Sequence, residues 1–126
     1  MTKIIQVLNS IISDKSKITN VIRGNLGGNS EYYFLYNNKY KWSIAKNSDE
    51  EYFVHLYPET ELTLSDLADP DTWNHSTVSY VTYSTKDLKT QEAEETFREL
   101  YQIVSDKLFG IDDIFNDIIL GSTAPF

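Results

Sequence analysis

The 126-residue chain has no cysteine, which excludes a disulfide framework, a thiolate nucleophile and a zinc ribbon in one observation. It has no apolar run near the ~18 residues of a membrane span, and Met1-Thr2-Lys3-Ile4-Ile5-Gln6 lacks the apolar core and small-residue cleavage site of a signal peptide. The expectation is a cytoplasmic protein with no membrane association. Histidine is scarce, with only His55 and His75, and neither carries a recognisable metal or catalytic spacing. Asn25-Leu26-Gly27-Gly28-Asn29-Ser30 comes before the first strand-like run and not after one, the reverse of a phosphate-binding glycine loop, so it reads as a connector. No nucleotide, metal or other cofactor is expected.

Charge of one sign is also missing locally. Residues 1–46 hold seven Lys or Arg against two acids, whereas residues 47–126 hold four against seventeen, and the net charge is −8. The stretch from Asp49 to Asp71 contains Asp49, Glu50, Glu51, Glu59, Glu61, Asp66, Asp69 and Asp71 and no basic residue. Such a field repels nucleic acid and anionic membrane and attracts a basic protein. These eight carboxylates are therefore the candidate partner-binding residues, against the plainer reading of solvated loop charge.

What the chain has in quantity is tyrosine. Eight of nine lie between Glu31 and Tyr83, in the runs Glu31 to Tyr36, Tyr40 to Lys46, Glu51 to Tyr57 and Thr77 to Tyr83. Aromatic and β-branched runs of this length, bounded by Asn, Ser, Asp and Pro, read as strands. Before them, Ile4, Ile5, Val7, Leu8, Ile11 and Ile12 form the apolar stripe of a helix capped at Thr2, and Ile18 to Ile22 weaken its continuation. A further helical turn is expected from Thr63 or Ser65 to Asp69-Pro70. After the strands, Thr90 caps a helix with Glu92, Glu94 and Glu95 in its first turns. There Phe97, Tyr101, Val104, Leu108, Ile111, Phe115 and Ile118 make a heptad-like seam that runs through Gly110.

The fold class is thus α+β: a four-stranded antiparallel meander sheet flanked by an N-terminal helix and one long or two short C-terminal helices. Residues 1–120 form one domain and 121–126 a frayed tail.

A two-residue turn at Asn37-Asn38 pairs Tyr33 with Trp42 and places Tyr33, Leu35, Tyr40, Trp42 and Ile44 on the core face. The opposite, open face then shows Tyr32, Phe34, Tyr36, Phe53 and Tyr57, an aromatic patch suited to an interface, including that of a homodimer. His55 beside Ser43 invites a nucleophile and base, but no nucleophile elbow or oxyanion donor accompanies them. Asp66, Asp69, Asp71 and His75 lack the glycine bend of a calcium loop.

The sequence-level expectation is a non-enzymatic, acidic protein-binding module, of the immunity or inhibitor kind, that neutralises a basic effector acting on nucleic acid. The alternatives are a small-ligand-binding domain with a pocket between sheet and C-terminal helix, lined by Tyr33, Trp42, Tyr80 and Tyr101, or a structural homodimer.

Overall fold

The computed structural model describes residues 3–24, 30–58, 61–75 and 77–123. The element order is α1 (Lys3–Ser13), a 3₁₀ turn (Lys15–Lys17), β1 (Ile18–Arg23), β2 (Ser30–Tyr36), β3 (Tyr40–Lys46), β4 (Tyr52–Tyr57), α2 (Leu64–Leu67), α3 (Pro70–His75), β5 (Val81–Ser84), α4 (Thr85–Leu88), α5 (Gln91–Phe109) and α6 (Ile111–Thr123). The sheet is an antiparallel meander in the order β1-β2-β3-β4-β5. Five strands, not four, correct the expected architecture, and the added one is the β-branched run at Ile18 to Ile22. Branching at Cβ, which disfavours continuation of α1, favours a pleated strand. Asn20, with φ of 57°, absorbs an irregularity between Thr19 and Ile22, so Ile18 and Ile22 serve different cores.

Helices pack on both faces of the sheet. On one, α1 contributes Ile4, Ile5, Leu8 and Ile11 and α5 contributes Ala93, Phe97, Leu100 and Val104, packed on Tyr32, Phe34, Trp42, Ile44, Tyr52 and Val54. On the other, Leu64, Leu67 and Ala68 of the α2 segment pack on Tyr33 and Tyr57. Thr63 and Asp66 form a reciprocal capping box that starts α2, as the turn chemistry of that segment requires.

The turn between β2 and β3 has three residues, not two. Asn37 and Asn38 both take left-handed φ (58° and 54°), but Lys39 joins them, and the register is Tyr36 with Tyr40, Phe34 with Trp42 and Tyr32 with Ile44. That slip of one residue inverts β2. Tyr32 and Phe34, expected on an open face, are buried core; Tyr33, expected in the main core, is fully buried on the other side; Tyr36 and Phe53 are half-buried and Tyr57 is buried.

The C-terminal seam breaks at Gly110, which takes φ of 64° and closes α5 through hydrogen bonds to the carbonyls of Asp106 and Lys107. α6 continues to Thr123, through part of the expected tail. Thr2, Glu59 and most of the Asn25–Ser30 connector lie outside the described residues. Among the described residues, no helix is long and apolar enough to cross a membrane.

Candidate functional site

The second face of the sheet brings together a buried acid, a buried hydroxyl and an imidazole from three adjacent strands. Alternation along each strand projects Glu31 and Tyr33 from β2, Ser43 from β3 and His55 and Tyr57 from β4 to this side, and the register sets Tyr33, Ser43, His55 and Thr82 of β5 in one row. Trp73 of α3 leans over them, its indole N–H donating to the Leu67 carbonyl at 2.7 Å. Tyr80, in the approach to β5, closes the side, with its ring 5.7 Å from His55, 6.2 Å from Tyr57 and 5.5 Å from Trp73. Together Glu31, Tyr33, His55, Tyr57, Trp73 and Tyr80 bound an open cavity of about 310 Å³.

At its floor the polar atoms form a directed chain. The Ser43 hydroxyl, fully buried, donates to Glu31 Oε2 at 2.8 Å and lies 3.0 Å from the Tyr57 hydroxyl. Because the one Ser43 proton is committed to the carboxylate, Tyr57 must donate to Ser43. His55 Nε2 stands 3.7 Å from the same carboxylate oxygen and Nδ1 lies 2.8 Å from Thr82 Oγ1. A carboxylate facing Nε2 favours the tautomer protonated there, with Nδ1 accepting from Thr82.

Burial pushes His55 below its ordinary value, and the Glu31 charge opposes this only in part. Burial also drives the Tyr33 and Tyr57 phenols far above the usual range, the neighbouring Glu31 charge adding to it. The Tyr33 hydroxyl is buried with no hydrogen-bond partner among the described residues. Glu31 is 9% exposed, and no described Lys or Arg lies within ion-pair distance of it.

Ser43 and His55 are neighbours in register, but Ser43 bonds Glu31 and Tyr57, and the imidazole bonds Thr82. The hydroxyl is therefore not presented to the ring that would deprotonate it.

The candidate acids fall into two groups. Asp49 and Glu50 are exposed in the β3–β4 turn, where Asn47 Oδ1 accepts from the Asp49 and Glu51 amides and Asn47 Nδ2 donates to the Glu51 carboxylate. Asp66 caps α2, Asp69 Oδ1 accepts the Asp71 amide, and Glu61 is exposed. The length of β4, about 17 Å at the usual rise, separates the turn from the segment that follows Tyr57. Among the described residues, no three of His, Asp or Glu are grouped to hold a metal ion.

Of the four expected pocket residues, Tyr33 and Tyr80 line the cleft. Trp42 lies across the sheet, and Tyr101 packs there against Tyr32 and Tyr52 at 5.3 and 5.5 Å. Glu31 and Trp73 were not singled out from the sequence. Glu31 carried one signal: it is one of two acids in the first 46 residues and it opens an aromatic strand. Compared with models of known protein families, with curated proteins and with solved structures, the chain matches none.

Proposed function

We propose that this chain is a non-enzymatic module that binds a basic protein, of the kind that neutralises a cationic effector acting on nucleic acid, and that the cleft over Glu31 receives a Lys or Arg side chain of that protein. The observation carrying this reading is the Glu31 carboxylate, nearly buried beneath aromatic rings and without a described Lys or Arg beside it. A buried charge lacking its counter-charge is costly, and an incoming ammonium or guanidinium relieves that cost through a charge-assisted hydrogen bond. The Tyr57, Trp73 and Tyr80 rings add cation–π attraction, of about 0.5–2 kcal/mol per well-placed ring. The exposed acids Asp49, Glu50, Glu61, Asp69 and Asp71 speed encounter over a longer range. The encounter belongs to the cytoplasm, with neither nucleic acid nor membrane as a direct partner.

The test is capture from native cell extract at low salt with wild type and with Glu31→Gln, which keeps the shape and removes the charge. Retention of a basic protein, released stepwise by salt and reduced roughly tenfold or more by the variant, supports the reading. No basic protein retained, or equal retention by both baits, rejects it.

A further inference from the structure

The seam of the C-terminal third loses its cover at Gly110. On α5, Phe97, Leu100 and Val104 are buried, whereas on α6 the same stripe continues in solvent, with Ile114 49%, Phe115 56% and Ile118 61% exposed. The left-handed residue at Gly110 turns α6 off the sheet, so that its principal contacts are with α5. An apolar stripe repeating at three and four residues marks a helix that packs on something. Its charged neighbours Asp112, Asp113 and Asp117 are all acidic, and α6 contains no Lys or Arg.

A seat of matching character lies elsewhere on the molecule. α1 leaves part of its face of the sheet uncovered, and an open groove of about 610 Å³ runs there along Val7, Ile11, Trp42, Leu56, Tyr83 and Leu88. Among the described residues, Lys3 is the one charged group in the lining, and no α6 residue contributes to it. The helix is apolar with acidic flanks, and the groove is apolar with a cation.

We propose that the α6 stripe of one copy docks in the α1 groove of a second copy, and reciprocally, around a two-fold axis. The exchange covers two helices and two grooves per dimer, and Lys3 of one copy faces the α6 aspartates of the other. The groove and the Glu31 cleft lie on opposite faces of the sheet, so the dimer leaves both clefts free and stands independently of the function proposed above.

The chain has no cysteine, so introduced ones report without background. Val7→Cys in one preparation and Phe115→Cys in a second, differently tagged one are mixed under mild oxidation. The mixed disulfide is expected to form roughly tenfold faster than between Val7→Cys and Glu95→Cys, whose site is exposed on α5 outside the groove. Light scattering of wild type is expected to give twice the 14.6 kDa chain mass. The double variant Phe115→Asp/Ile118→Asp is expected to give the single mass with an unchanged circular dichroism spectrum, because both side chains are already exposed in one copy. A monomeric wild type, a dimeric double variant, or a mixed disulfide no faster than the control overturns the proposal.

Discussion

Replacing Ser43 by Ala removes the middle of the chain Tyr57 to Ser43 to Glu31 while leaving β3 otherwise intact. The lost bonds are one to a carboxylate at 2.8 Å and one between hydroxyls at 3.0 Å, both buried. The first class is worth about 1.5–3 kcal/mol and the second about 0.5–1.5 kcal/mol, so the expected loss is about 2–4.5 kcal/mol. At an unfolding entropy of about 2.1 cal/mol/K per residue, a chain of this length shifts its Tm by about 4 °C per kcal/mol, which places the fall at about 8–17 °C. Urea titration followed by circular dichroism measures the free energy, and calorimetry the Tm. Glu31→Gln is the internal comparison: it retains an acceptor for Ser43 and removes a buried charge, so its cost is expected to be the smaller of the two. A loss below about 1 kcal/mol for Ser43→Ala, or a larger one for Glu31→Gln, would refute the assignment of Ser43 as the group that satisfies the buried acid.

Burial holds the His55 value below that of the unfolded chain, so in acid the unfolded state binds more protons, and the His55 contribution is complete above about pH 6.5 and lost as pH falls. Urea midpoints are expected to drop from about pH 7 to 5, and His55→Gln is expected to flatten that slope; an unchanged slope counts against the buried neutral imidazole. Gly110→Ala meets no atom within 4 Å of the added Cβ but must hold φ at 64°, so denaturation is expected to show a purely conformational loss of about 1 kcal/mol. Gly24→Ala would place a Cβ 2.5 Å from Tyr33 Cε1, and since that ring is fully buried the expected cost is about 1–3 kcal/mol; equal stability would show that Tyr33 can move aside. Once a basic partner is in hand, stopped-flow mixing of the fourfold reversal of Asp49, Glu50, Glu61 and Asp71 to Lys, all exposed, is expected to slow association by roughly tenfold or more at low salt, with the difference fading as salt rises; an unaltered rate would assign these acids to solubility alone.

Much of the local structure was legible in the sequence. Thr90 followed by Glu92 and Glu94 marks the start of α5, Thr63 stands at one of the two expected starts of α2, and the isoleucine spacing marks α1, because caps and helical periods act within a few residues. The face assignment of β2 was not legible, since Tyr32-Tyr33-Phe34-Leu35-Tyr36 is apolar on both sides and only the length of the Asn37-Asn38-Lys39 turn decides the register. Nor was β1, whose branched residues are consistent with a failing helix until β2 is there to pair with them. The cleft depends on the first of these: the β2 register is what sends Glu31 and Tyr33 to the side of Ser43, His55 and Tyr57, and α3 then lays Trp73 over them. Composition and periodicity determined that this is an acidic α+β chain with an aromatic sheet, since these are sums and repeats along the backbone. Which carboxylate is buried, which rings stand over it and which half of the C-terminal seam remains in solvent were decided by pairings between residues distant in sequence, and those exist only once the sheet has closed.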